Sequence, residues 1–164
     1  MNVGASAPDQ VGLYFSWGNT DGHDAESGFN FSREVYQNSP GADLSDSIPL
    51  SHDAAHVNMG GSWRMPTLDD FNELINNCDF EWVVMEDTFG ALVTSNVNGN
   101  SIFIPAGGSY ENTQINDLDQ NGLYFSSLGD GDNGAFYAFF EESNVEAFDS
   151  MNRYIGLPVR GVTL

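Results

Sequence analysis

Two histidines, His52 and His56, stand four residues apart in the string His-Asp-Ala-Ala-His. On a helix, this spacing puts both imidazoles on one face, where they can bind zinc while the residue after the first histidine, here Asp53, acts as a general base. Asp is one methylene shorter than the glutamate usual in that motif, and no clear third ligand follows. The main prediction is a short helix, with Ser51 as its N-cap and its end at about Val57, in which the histidines have capping and packing roles. A metal-dependent hydrolase using His52 and His56 is the alternative.

A second group of oxygen ligands lies in the turn from Asp130 to Asn133, which reads Asp-Gly-Asp-Asn. Carboxylate and amide oxygens around a glycine are the ligands that calcium prefers, but the spacing is not that of a helix-loop-helix calcium site. A solvated acidic turn is the main prediction, and calcium is kept as the alternative. No other cofactor is expected.

Other catalytic signatures are missing from the sequence. No Gly-x-Ser-x-Gly string marks a nucleophile elbow. With 24 acidic residues, a carboxylate pair for glycoside cleavage could be drawn almost anywhere, so their number carries no signal. The one cysteine, Cys78, lies in an apolar context and is expected to be a buried small hydrophobe. We therefore expect no enzymatic activity.

The composition limits the class of protein and its partners. A chain of 164 residues, 40% hydrophobic, can form one domain over residues 1–164 with its own core. The formal net charge of -20 repels phosphate backbones, so no nucleic-acid partner is expected. No apolar run approaches the roughly 18 residues of a membrane helix, so no membrane insertion is expected. Arg64 and Arg160, two of four cations, are expected to be structural, because guanidinium can bind two acceptors at once.

Turn residues and short apolar runs alternate along the chain. Their order predicts an α+β fold with an antiparallel sheet, two helices and long loops. The small polar residues 1–11 are predicted to be an N-terminal arm. The clearest helix begins at Thr67, where Thr67 and Asp70 form a capping-box pattern. Asn98-Gly99 predicts a hairpin turn, and residues 109–121 are predicted to be an irregular loop.

The C-terminal segment, residues 122–164, mixes large apolar and acidic side chains. Residues 135–141 read Ala-Phe-Tyr-Ala-Phe-Phe-Glu and are predicted to form a strand. Alternation puts Tyr137 and Phe139 on the same face as Glu141, which turns that face toward solvent. Exposed aromatic side chains of this kind are enriched in binding surfaces. The same mixture continues further along, with Phe148, Met151 and Tyr154 among Glu146, Asp149 and Asn152.

Four strings occur in a fixed order: GGSWRMPT at 60–67 before a helix, NGNSIFIPA at 98–106, GLYFSS at 122–127 and RYIGLPVR at 153–160. Together they resemble a large paralogous family of surface and phage domains in Bacteroidetes and Fibrobacter. The matched strings cover most of residues 12–163. The family implies a C-type-lectin-like fold that is also similar to the formylglycine-generating enzyme.

Within that family, the look-alikes are variable proteins diversified by retroelements. Their variable residues lie on the C-terminal segment and form a ligand-binding face, which here corresponds to positions between Ser127 and Ile155. Family members often carry Trp where this chain has Phe125. Formylglycine-type oxidation needs a thiol pair in the family, so Cys78 alone implies that this activity is missing.

The resemblance and the residue pattern together predict a non-enzymatic ligand- or receptor-binding domain, either a phage receptor-binding domain or a bacterial surface adhesin. Its location would be the virion surface or the extracellular cell surface, within a larger fibre, pilus or oligomer. The expected partner is a protein or glycan receptor on a target cell, and a purely structural virion or pilus subunit is the other alternative. The predicted ligand-binding residues are Tyr137, Phe139, Glu141, Glu142, Glu146, Phe148, Asp149, Met151, Asn152 and Tyr154.

Overall fold

The computed structural model describes residues 1–163 as an α+β protein whose strands all pair antiparallel. The strands are β1 (Tyr14–Phe15), β2 (Cys78–Met85), β3 (Thr88–Ser95), β4 (Ser101–Pro105), β5 (Ser109–Glu111), β6 (Gln114–Asn116), β7 (Gly122–Asp130), β8 (Gly134–Phe140), β9 (Val145–Asn152) and β10 (Leu157–Pro158). They form four sheets, β1-β10, β2-β3-β4, β5-β6 and β7-β8-β9. The helices are α1 (Arg33–Tyr36), α2 (Ala54–Met59) and α3 (Leu68–Asn77), with 3-10 turns at Pro40–Asp43 and Leu50–His52. None of the helices in residues 1–163 is long and apolar enough to cross a bilayer.

Local capping chemistry determines where the helices begin. The Thr67 side chain accepts a hydrogen bond from the Asp70 backbone N–H, and the Asp70 carboxylate accepts one from the Thr67 N–H, so the predicted capping box is confirmed. The prediction that Ser51 caps the preceding helix is wrong. Ser51 lies in the 3-10 turn, and α2 begins two residues later than predicted because the Asp53 carboxylate accepts from the His56 N–H and caps the helix.

The sheet β7-β8-β9 lies between two hydrophobic clusters, and alternate side chains of its strands enter one or the other. Core cluster 1 includes Trp17, Leu123, Phe125, Ala135, Leu157 and Val159. Core cluster 2 includes Phe71, Val93, Ile104, Tyr124, Ala138, Phe140 and Ala147. Helix α3 covers the second cluster with Phe71, Leu74 and Ile75, the apolar face that its spacing predicts. Cys78, at the end of α3, is half-buried and packs against the same cluster.

The small polar residues 1–11, predicted to be an N-terminal arm, contribute Asn2 and Val3 to the buried interior. Val3 is 2% exposed and packs in core cluster 1. Its N–H donates to the Val159 carbonyl at 2.9 Å, and its carbonyl accepts from Leu13 N–H. The buried Asn2 side chain donates to the Tyr124 hydroxyl at 3.0 Å. Asn2 and Val3 therefore connect the C-terminal segment around Val159 to Tyr124 of β7.

Hairpins account for most of the chain between residues 78 and 121. Asn98-Gly99 lies in the β3–β4 connection, where Gly99 has a φ of 74°, so the predicted turn is confirmed. The β2–β3 turn is made instead by Glu86 and Asp87, both with positive φ, which sequence patterns did not indicate. The predicted irregular loop over 109–121 contains the short hairpin β5-β6.

The Arg64–Asp70 ion pair links the segment before α3 to the first turn of this helix. Arg64 Nη1 lies 2.6 Å from Asp70 Oδ2 and Nη2 lies 3.1 Å from Oδ1. This confirms the structural role predicted for Arg64. Hydrogen bonding from Arg64, helped by Thr67, lowers the pKa of Asp70 from 3.8 to about 2 although burial opposes the shift.

We expect the stabilising effect of Asp70 to vanish in acid. Because the pKa of Asp70 is lower in the folded state, its ionised form stabilises the fold above pH 4, and this contribution is lost as the pH falls toward 2. Urea unfolding of the wild type and Asp70→Asn should therefore show a difference in unfolding free energy that is constant above pH 5 and narrows below pH 4. A difference that stays constant down to pH 2 would contradict this role.

Candidate functional site

The two histidines of the His-Asp-Ala-Ala-His string do not share a helix face. His52 lies in the 3-10 turn with Nδ1 at 3.0 Å from the Gly18 carbonyl, whereas His56 lies in α2 with Nδ1 at 3.2 Å from the Trp63 carbonyl. Asp53 between them is 4% exposed, and its carboxylate accepts from backbone N–H groups. The prediction of one helix carrying both imidazoles is wrong, because Asp53 starts the helix only after His52. Residues 1–163 contain no group of three or more histidine, cysteine or acidic side chains placed to hold one metal ion.

A guanidinium, that of Arg153, reaches the turn of Asp130–Asn133. Arg153 Nη2 donates to the Gly131 carbonyl at 2.6 Å, and Nε donates to the Gly134 carbonyl at 2.7 Å. Asp130 accepts from the Ser150 hydroxyl at 2.5 Å. The Gly131 carbonyl and the Asp130 carboxylate of this turn thus already have donors within the protein.

The two strands of the predicted site, β8 and β9, are neighbours, and β9 is an edge strand. Tyr137 pairs with Asp149 and Phe139 pairs with Glu146, with a register shift between the two pairs. Tyr137, Phe139 and Met151 are half-buried and pack against core cluster 1. The predicted alternation is confirmed, but the prediction that Tyr137 and Phe139 are exposed is wrong, since core cluster 1 packs against their face of the sheet.

Burial and neighbouring carboxylates both raise the pKa of Tyr137. Burial raises this pKa most, and the negative charges of Asp149 and Glu146 raise it further. Glu146 is half-buried and Asp149 is exposed. Tyr137 therefore presents a neutral hydroxyl at the edge of a negatively charged surface.

Phe148 is the most exposed aromatic side chain of the segment, at 71%. It lies on β9 where the register shifts, so one strand holds an extra residue and the ladder is interrupted. An edge strand with such an irregularity resists pairing with another sheet. Phe148 consequently projects from the surface without forming part of the core, as predicted.

Glu141 and Glu142 lie in the turn between β8 and β9, far from the other end of the strands. With Glu81 and Trp82 of β2 they line a depression of about 180 Å³. Asn152 is the last of the eight residues of β9, roughly 25 Å from this turn along an extended strand. The ten predicted residues thus lie along an elongated region of the surface, with Tyr137, Phe139 and Met151 partly in the core, and do not converge on one pocket.

The polar end of this surface is a cleft of about 510 Å³. Its wall includes Asn152 and Tyr154 from the predicted set, together with Arg33, Gln37, Asp132 and Asn133. The Tyr154 hydroxyl donates to Glu111 at 3.1 Å and accepts from the Asn152 amide at 3.4 Å. Burial and Glu111 raise the pKa of Tyr154, while the nearby charge of Arg33 opposes the shift. The cleft therefore combines a neutral phenol, amides, carboxylates and one exposed guanidinium.

Sequence reasoning missed Arg153, which also lines the cleft. Its side chain is 1% exposed and lies over the Trp17 ring, with the guanidinium carbon 4.1 Å from the ring centroid. Besides the turn carbonyls, Nη1 donates to the Leu44 carbonyl at 2.7 Å and Nη2 to Asp46 at 3.2 Å. The only signal in the sequence is the rarity of cations, since one of four arginines follows directly on the acidic segment.

Comparisons of the chain with protein-family models, curated proteins and solved structures gave no match.

Proposed function

We propose that this protein is a non-enzymatic binding domain with a C-type-lectin-like fold. Its ligand-binding surface would be the β8-β9 edge around Phe148 together with the adjoining cleft at Asn152 and Tyr154. The location that fits this function is a virion or cell surface, and the fitting partner is a protein or glycan receptor of a target cell. The exposed aromatic side chain of this surface is Phe148, whereas Tyr137 and Phe139 are half-buried.

The distribution of burial in the C-terminal segment carries the proposal. Residues 122–126 and 156–159 are buried throughout. Between them the buried positions are mostly small, namely Gly129, Ala135, Ala138 and Ala147, with Phe140 and Arg153 as the large exceptions. Most large side chains of the middle part are thus exposed or half-buried. Such a segment can change its outward side chains at little cost to the core, because surface substitutions alter stability only slightly.

The chemistry of the cleft favours polar recognition. Asn152, Gln37 and Asn133 supply amides that can both donate and accept, and Arg33 supplies a guanidinium that binds paired acceptors. Phe148 supplies apolar contact area at low entropic cost, as aromatic anchors do in other recognition surfaces. Hydroxyl-rich sugars and polar protein loops are both ligands of this chemical type.

Replacing Phe148 is the direct test. Labelled wild-type protein would be applied to a panel of intact bacterial cells and to a printed glycan array, and the probe that binds would be kept. We expect Phe148→Ser to weaken that binding by roughly tenfold or more, as loss of an interface anchor does. The free energy of unfolding should change by less than about 0.5 kcal/mol, because the side chain is 71% exposed.

Val97→Ser is the matched control. Val97 is 82% exposed in the β3–β4 turn, away from β8 and β9, so this variant removes an exposed apolar side chain from a different surface. Its binding should equal that of the wild type. Equal losses in both variants, or a loss only in protein that has unfolded, would refute the proposed surface.

A further inference from the structure

A second cavity, of about 340 Å³, lies on the other side of the β7-β8-β9 sheet. Phe71 and Leu74 of α3, Ile102 and Ile104 of β4, and Phe140 of β8 form its apolar wall, with Trp63 beside them. Ile102 is 41% exposed, which places it at the mouth of the cavity. A largely apolar cavity of this size with a few polar groups is the usual form of a small-molecule site.

The polar residues in this wall are Asp70, Tyr124 and Arg160, and Met1, whose amino group lies near Arg160, also lines the cavity. Arg160 Nη1 donates to the Phe103 carbonyl at 3.1 Å and to Asn2 Oδ1 at 3.4 Å. Among residues 1–163 no buried side-chain nitrogen or oxygen is without a hydrogen-bond partner. Neither Nε nor Nη2 of Arg160 makes a hydrogen bond within these residues, so neither atom is fully buried. Part of the guanidinium is therefore bound to the fold, and part of it remains open to a ligand.

Arg160 is partly buried and lacks an ion pair in the described part of the chain, although the chain has 24 carboxylate side chains. Arg64 and Arg153 are each paired with an aspartate, whereas Arg33, which also has no salt bridge within residues 1–163, is exposed. No salt bridge within the same residues includes Arg160, and burial lowers its pKa. The carboxylate in the cavity wall, that of Asp70, is already bound by Arg64 and Thr67. A half-buried cation against apolar walls is stabilised by an anion that brings its own apolar body.

We propose that this cavity binds a medium-chain aliphatic carboxylate, with the chain against Phe71, Leu74 and Ile102 and the carboxylate on Nε and Nη2 of Arg160. A guanidinium binds a carboxylate through two parallel hydrogen bonds, which gives both affinity and orientation. This assigns Arg160 a second role beside the structural one expected from the sequence. The site shares no residue with the Phe148 surface.

A matched pair of ligands tests the proposal on the wild-type protein. Octanoate and 1-octanol have the same chain length and differ in the charged group. Isothermal titration calorimetry should show octanoate binding roughly tenfold or more tightly, since a charge-assisted hydrogen bond is lost with the alcohol. If neither probe binds, or if the alcohol binds as tightly as the acid, the proposal fails.

Two variants locate the site. Arg160→Gln should remove the preference for octanoate and leave the affinity for 1-octanol unchanged. Ile102→Trp should fill the cavity mouth and weaken the binding of both ligands. Val84→Trp also puts a tryptophan in place of an exposed aliphatic side chain, but on β2 outside the cavity wall, so it should weaken the binding of neither ligand. A retained octanoate preference in Arg160→Gln, or unaltered binding in Ile102→Trp, would overturn the assignment. If Arg160→Gln does not fold, the ligand pair and the two tryptophan variants still decide.

Discussion

Replacing Arg153 with methionine should lower the free energy of unfolding by about 3–5 kcal/mol, because several hydrogen bonds from a buried charged donor are lost together and each contributes about 1.5–3 kcal/mol. The guanidinium binds the carbonyls of Leu44, Gly131 and Gly134 and packs on Trp17. Methionine can fill the volume but leaves these three carbonyl groups without the charged donor. Urea unfolding followed by tryptophan fluorescence would measure the loss.

Two further variants separate the carbonyl network from the ion pair. Asp46 is 63% exposed in its side chain, so Asp46→Asn should cost less than about 1 kcal/mol. Arg153→Lys keeps the charge but cannot reach all the acceptors at once, so an intermediate loss of about 2 kcal/mol is expected. If Asp46→Asn were as costly as Arg153→Met, the ion pair and not the carbonyl network would hold this part of the fold.

Replacing Asp53 with alanine should cost about 3 kcal/mol of unfolding free energy. Its carboxylate oxygens Oδ1 and Oδ2 accept from the Met65 N–H at 3.0 and 2.9 Å, and Oδ1 also accepts from the His56 N–H at 2.9 Å. Asp53 therefore both caps α2 and binds the segment before α3. Hydrogen bonds to charged groups contribute about 1.5–3 kcal/mol each, and a lost N-cap costs about 1 kcal/mol. Thermal and urea unfolding of Asp53→Ala would test this value.

Asp53→Asn and Ser51→Ala are the comparisons for that prediction. Asn retains one acceptor oxygen in the same shape, so a loss of about 1 kcal/mol is expected. Ser51, the cap that the sequence pattern favoured, makes no side-chain cap bond, and its replacement should change stability by less than about 0.5 kcal/mol. A fully stable Asp53→Ala protein would contradict this structural role.

Features that depend on neighbours in sequence could be predicted. The Thr67–Asp70 capping box needs only residues one helical turn apart, and the alternation in β8 follows from strand geometry alone. Asn98-Gly99 marks its turn for the same reason. The position of the α2 cap failed because Ser51 and Asp53 are both good cap residues, and the choice depends on Met65, which lies twelve positions away.

Features that depend on distant partners could not be predicted from the chain. Alternation separates Tyr137 and Phe139 from Ala138 and Phe140, but it does not show that core cluster 1 lies against the first face. Arg153 is buried only because residues 44–46 and 131–134 meet around it. In the same way, Arg33 joins the cleft through the fold, since nothing in the sequence relates it to Asn152.

The pairing of the two ends of the described chain also constrains how the domain forms. Arg160 binds Asn2 across a separation of 158 positions, and Val3 donates to Val159. Contacts of such long range must be formed against a large loss of chain entropy, so they slow folding and tend to form together with the rest of the core. Core cluster 1 includes both Val3 and Val159, so it can be completed only after residue 159 has left the ribosome. The surface around Phe148 would accordingly be ordered only in the fully closed domain, and a partly folded chain would not present it.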